Sequence, residues 1–132
     1  KEALESFGRN LGICFQITDD ILDYSSKEKV FGKKIGNDFL EGKITLPIIL
    51  LFQKSNKIER QMLNKFFTQN SRNQDDFQKI VGLIDKHKII EICKKRADYF
   101  SNVAADSLSI FEKNFTIEKL QELSFYIVNR LN

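Results

Sequence analysis

The ten residues FQITDDILDY, Phe15 to Tyr24, set three carboxylates among aliphatic and aromatic neighbours in a pattern that reads as helix. Residues three and four apart share a helix face, so Gln16, Asp19, Asp20 and Asp23 form one polar stripe. The stripe opposes itself. Like charges at this spacing disfavour a helix by roughly 0.2–0.5 kcal/mol per pair, and anions near a helix C-terminus oppose its dipole by about 0.3–1 kcal/mol each. A solvated helix end is the ordinary account of an acidic stripe, but Phe15, Ile17, Ile21 and Leu22 crowd this one and leave little room for a broad solvated face. Something outside the sequence is expected to compensate the charge.

Working upstream, the helical period runs back to about Glu2, with Leu4, Phe7, Leu11 and Cys14 covering much of the circumference. A helix apolar on most sides belongs inside a bundle. Gly8 and Gly12, four apart, are expected to admit a second backbone or a ligand. Downstream, Ser25 to Thr45 loses the period and sets Gly32, Gly36 and Gly42 among Lys27, Lys29, Lys33, Lys34 and Lys43, which predicts a long functional loop. Thr45 and Pro47 then open a helix whose run LPIILLF must be buried.

Beyond the polar break at Lys54 to Lys57, amphipathic helices are predicted over Ile58–Gln69, Asp75–Lys86, Ile89–Glu112 and Ile117–Leu131, with Asp75 and Thr116 as caps. No strand pattern or internal repeat interrupts them. The expectation is an all-α chain, residues 1–132 forming a single all-helical unit. Phe66, Phe67, Phe100 and Phe111 fall at helical spacing and read as core, His87 and Arg130 as exposed surface.

Composition narrows the function classes. With 42% hydrophobic residues in 132, the chain can fill one packed core. A net charge of only +3, with basic and acidic residues interleaved, argues against nucleic acid as a partner. Cys14 and Cys93, far apart in apolar patterns, read as buried thiols of a reducing, cytoplasmic protein. No apolar run approaches the ~18 residues that span a bilayer, so no integral membrane segment is expected. The helical pattern is already under way at Lys1, which suits a portion of a longer protein.

A hard divalent cation would reverse the repulsion among the aspartates. Mg²⁺ takes oxygen ligands, keeps waters, and is typically held by one or two carboxylates together with substrate phosphates. The absence of a nearby His or Cys disfavours zinc, and the alternating loop of a Ca²⁺ hand is missing. Lys33 in FGKKIG and Lys43 in EGKIT follow on glycine-flexed backbone that can fold back over the helix end. A magnesium diphosphate offers metal-bridging oxygens to the carboxylates and further negative charge to the ammonium groups.

Residues Phe7 to Leu51, with FGRNLGICFQITDDILDY followed by FGKKIGNDFLEGKITLPIILL, resemble the second aspartate-rich region of the trans-isoprenyl diphosphate synthases. The stretch NDFLEGKITLPII looks closer to long-chain members such as octaprenyl diphosphate synthases, and the tail LSFYIVNRL is similar to the family's C-terminal helix. The resemblance implies the C-terminal part of the isoprenoid synthase helical bundle. It implies a Mg²⁺-dependent, homodimeric prenyltransferase that joins isopentenyl diphosphate to an allylic prenyl diphosphate. By position, Asp19, Asp20 and Asp23 would hold Mg²⁺, and Lys33 and Lys43 would contact the diphosphate. Gln16 would aim its amide oxygen at the allylic cation, Phe15 would wall the substrate cavity, and Asp38 would order the loop.

The family's first aspartate-rich motif and its arginine pair have no match in this chain. Asp75 and Asp76, followed by Lys79, look like a helix start. We therefore expect a portion whose N-terminal half is absent from this chain, inactive by itself. Two other readings remain: a related terpene synthase, against which the GK..G.D and GK.T.P elements speak, and a non-catalytic partner subunit, which has no need of Gln16, Lys33 and Lys43 together.

Overall fold

The computed structural model describes residues 1–25 and 35–131. Among them seven helices follow one another without a strand: α1 (Glu2–Ser25), α2 (Asn37–Leu40), α3 (Leu46–Lys54), α4 (Lys57–Thr68), α5 (Gln74–Lys86), α6 (Ile89–Ser107) and α7 (Phe115–Asn129).

Helix starts are set by asparagines. Asn56 Oδ1 accepts the Glu59 N–H at 2.8 Å while Glu59 Oε1 accepts the Asn56 N–H at 2.9 Å. Asn73 and Asp76 form the same reciprocal pair, and Asn114 Oδ1 accepts the Ile117 N–H. These caps place the α5 and α7 starts just ahead of Asp75 and Thr116, because an asparagine a few residues earlier already satisfies the free N–H groups. Asp75 and Asp76 lie in the first turn of α5, as a helix start requires. Thr45 occupies the N-cap position of α3, but its hydroxyl makes no capping bond. Helix α6 stops at Ser107, short of Glu112, and the chain goes on in tight turns such as the Ser109 N–H to Asp106 carbonyl bond of 3.0 Å and the Phe111 N–H to Leu108 carbonyl bond of 3.1 Å.

The chain divides into two compact units, one made of Lys1–Asp19 with Cys93–Asn132, the other of Asp20–Ile92. In the first, Phe7 of α1 packs with Ala104 of α6 and Leu108, ringed by Leu11, Phe111, Ile117 and Leu120. Polar groups there pair across helices: Ser6 and Ser107 hydroxyls lie 2.7 Å apart, and the Ser101 hydroxyl donates to the Ser124 carbonyl at 2.9 Å. Cys14 and Cys93 are buried free thiols, and burial pushes the Cys14 thiol up. Gly8 and Gly12 are exposed, and a methyl group on either would meet nothing within 4 Å. The close approach expected there is not made by the described residues.

The second unit is built around aromatic rings. Phe39 of α2 lies 6.1 Å from Phe66, 5.5 Å from Phe67 and 6.0 Å from Phe77, and Tyr24 lies 5.9 Å from Phe77. The segment expected to be loop therefore carries a short helix whose Phe39 is fully buried. In α3, Pro47, Ile48, Leu50 and Leu51 are buried, while Ile49 and Phe52 remain exposed.

His87 departs from the exposed position expected of it. Its Nε2 lies 3.0 Å from Glu59 Oε1, and Lys86 Nζ donates to Glu59 Oε2 at 2.7 Å. The end of α5 thus meets the buried carboxylate that caps α4. The Lys86 ammonium, the Asn56 N–H and His87 together hold the Glu59 carboxyl down to about 2.

Candidate functional site

Along the continuous helix α1, Gln16 is exposed, Asp19 is half-buried, and Asp20 and Asp23 are buried, at 7% and 4% exposure. A carboxylate so enclosed near a helix C-terminus needs partners, and Asp23 finds some in the chain itself. Its main-chain oxygen accepts the Gly36 N–H at 2.9 Å, and its Oδ2 accepts the Asp38 N–H at 3.0 Å. Gly36, the N-cap residue of α2, has no side chain to cap with. Asp23 supplies the missing cap, so the charge that opposes the α1 dipole favours the N-terminus of α2.

From α2 the link continues to the lysine. The Asp38 carbonyl accepts the Lys43 N–H at 2.8 Å, and Lys43 Nζ lies 3.8 Å from Asp38 Oδ1 and 3.2 Å from Glu41 Oε2. Asp38 is buried, whereas the Lys43 side chain is exposed and able to reach a soluble anion. Gly36 and Gly42 both adopt left-handed backbone, φ 80° and 79°. A methyl group on Gly36 would lie 2.7 Å from the Phe77 ring, so this turn has neither the backbone nor the room for a side chain.

Tyr24 sits under the same link. It is buried, and its hydroxyl has no hydrogen-bond partner among the described residues. Burial first, then the Asp23, Asp38 and Asp20 carboxylates, push its phenol far up, so it stays neutral. Sequence reasoning missed Tyr24, and it missed Phe77 and Arg72, which press on Gly36 and Gly42 from thirty or more positions downstream. No local signal marks them.

Phe15 is about half exposed, with the Arg130 guanidinium 5.2 Å from its ring centre. Arg130 is half-buried instead of solvated, because the flat guanidinium stacks on the aromatic face. Lys33 lies outside the described residues.

Among the described residues no three His, Cys, Asp or Glu side chains converge as a complete metal-ligand set. The donors on α1 are carboxylates, with a carboxamide one turn away and no thiolate or imidazole in the stripe. That set fits a hard cation completed by water and phosphate oxygens, and it does not fit zinc. No described helix is long and apolar enough to cross a membrane.

Residues 1–84 match the family described as Polyprenyl synthetase. The chain belongs to the polyprenyl synthetase family. This polyprenyl synthetase chain is 28% identical over 130 residues to an octaprenyl diphosphate synthase of Haemophilus influenzae, covering 98% of its own length and 39% of the relative's. It is 30% identical over 131 residues to an all-trans-nonaprenyl-diphosphate synthase (geranyl-diphosphate specific) of Rhodobacter capsulatus, 40% of which it covers. It superimposes with a TM-score of 0.90, at 33% identity, on a polyprenyl synthase of Caulobacter crescentus complexed with calcium and isoprenyl diphosphate, covering 98% of this chain and 39% of that one. The polyprenyl synthetase chain thus spans about two fifths of the length of these relatives, and its all-helical architecture is that of the isoprenoid synthase bundle.

Proposed function

We propose that this polyprenyl synthetase chain forms the second aspartate-rich part of a trans-polyprenyl diphosphate synthase. Such an enzyme condenses isopentenyl diphosphate with an allylic prenyl diphosphate. Residues 1–132 are then the C-terminal portion of a synthase domain that works in the cytoplasm as a homodimer. The observation that carries the reading is the Asp23–α2–Lys43 link, which ties the backbone of Lys43, whose side chain is exposed, to the carboxylate end of α1 through bonds of 3.0 and 2.8 Å.

In the reaction the allylic carbon–oxygen bond breaks and the diphosphate leaves with the electron pair. The isopentenyl double bond attacks the cationic carbon, and a proton is then lost from the neighbouring carbon. Asp19, Asp20 and Asp23 are the residues to hold Mg²⁺, which when bound supplies positive charge to the leaving oxygens. Lys43, together with Lys33, donates to the same oxygens, an electrostatic stabilisation that grows as the bond breaks. Gln16, exposed on α1, turns its amide oxygen to the allylic cation, and Phe15 walls the substrate. Asp38 orders the loop through its carbonyl and its carboxylate.

The complete protein, incubated with farnesyl diphosphate, isopentenyl diphosphate and Mg²⁺, tests this reading. Asp19→Ala is expected to lower turnover by at least about 10²-fold with the helical circular dichroism unchanged. Near-normal turnover in a folded variant rejects the metal assignment.

A further inference from the structure

We propose that Arg72 is a positioning residue for Lys43, acting through Gly42. The proposal rests on reading Lys43 as a diphosphate contact. Arg72 lies just beyond the end of α4, and its Nη1 donates to the Phe66 carbonyl at 3.0 Å and the Gln69 carbonyl at 2.9 Å. Those bonds close the helix end, where carbonyls lack partners and a cation is favoured. The other arm of the guanidinium has a different neighbour. A methyl group on Gly42 would lie 2.7 Å from Arg72 Nη2 and 3.0 Å from its Cζ, so the guanidinium is packed directly against this glycine.

Gly42 is the pivot of the lysine turn. With φ at 79°, its N–H donates to the Phe39 carbonyl at 2.9 Å, and the next N–H, that of Lys43, donates to the Asp38 carbonyl at 2.8 Å. The exposed Lys43 ammonium is therefore carried on a turn whose floor is the Arg72 fork. Arg72 is half-buried, and its Nε is enclosed without a hydrogen-bond partner among the described residues. Closing α4 takes one edge of the fork; the second edge supports Gly42. A lysine, with a single ammonium on a flexible stem, reaches the carbonyls or the glycine but does not span both.

The experiment uses the complete protein with Arg72→Ala and Arg72→Lys. Residue-level amide hydrogen exchange is expected to quicken about tenfold at Gly42 and Lys43 in both variants, as a locally loosened turn requires. Arg72→Lys decides alone if Arg72→Ala fails to fold. Calorimetric binding of inorganic pyrophosphate with Mg²⁺ gives the second readout. Arg72→Lys is expected to weaken it by about threefold to tenfold when Lys43 is present and to leave it unchanged in a Lys43→Ala background, the mark of a residue that works through another. Unchanged exchange at both amides overturns the proposal, and so does an equal loss of affinity in the two backgrounds. If the parent chain binds no pyrophosphate, the diphosphate role of Lys43 fails, and the exchange result still decides whether Arg72 holds the turn.

Discussion

Replacing Gly36 by alanine sets two separate penalties against each other and lets them be measured. The backbone penalty comes from holding a side chain at φ 80°, about 1–2 kcal/mol. The packing penalty comes from a new methyl 2.7 Å from Phe77 Cε1 and 2.8 Å from its Cδ1 and Cζ. That ring has nowhere to go: it is 4% exposed and held between Tyr24 and Phe39, at 5.9 and 6.0 Å. Forcing it aside costs about 1–3 kcal/mol, giving roughly 2–5 kcal/mol in all.

Guanidinium chloride denaturation followed by circular dichroism reads the total. With an m-value of about 3 kcal/mol per M, a loss of ~3 kcal/mol lowers the midpoint by about 1 M. Gly82→Ala serves as the opposite control. It is exposed within α5 with nothing within 4 Å of the added methyl, so helix propensity alone raises stability by about 0.5–1 kcal/mol. Phe77→Leu separates the two penalties, since removing the ring edge relieves the collision and leaves the backbone term. The double variant is expected to be less destabilised than the sum of the singles by about 1–2 kcal/mol. A Gly36→Ala loss below about 1 kcal/mol, or strict additivity with Phe77→Leu, refutes the argument.

Two further outcomes test the fold around the site. Glu59, held at about 2 against an ordinary 4.5, adds stability that is fully present above pH 4.5 and is lost as pH falls toward 2. Glu59→Gln should therefore flatten the acid side of the stability curve over that window, and an unchanged acid unfolding profile would count against the Lys86–Glu59–His87 contact. Asp23→Ala removes the cap of α2 and should cost about 0.5–2 kcal/mol, seen as faster exchange of the Asp38 amide. Asp23→Asn, which keeps an acceptor, should restore most of that protection; if Ala and parent exchange alike, Asp23 is not the cap.

The periodic parts of the chain were legible from sequence. Helix α1 and the buried positions of α3 follow from apolar spacing, and the family follows from the resemblance of the stretches FQITDDILDY and EGKITLPIILL to it. What escaped depends on contacts far apart in sequence. Helix α2 is four residues long, too short to leave a period, and its stability comes from Asp23 fifteen positions away and from the rings around Phe39. His87 looked exposed because its partner, Glu59, is 28 residues upstream. Arg130 looked solvated because nothing local announces the ring of Phe15. Compensation of the crowded aspartates, expected from outside the sequence, does not come wholly from there: part of it is the start of the next helix.

Anyone engineering a sturdier α1 would begin with its charge-crowded end, since replacing a carboxylate there by a strong helix former such as alanine helps the helix that carries it. At Asp23 that repair is self-defeating. The same atom that strains one helix founds the next, so the gain in the long element is taken out of the short one that carries Asp38 and leads to Lys43. Stability and site geometry are not separately adjustable at this position, and consensus-style optimisation of α1 in isolation would select the wrong residue.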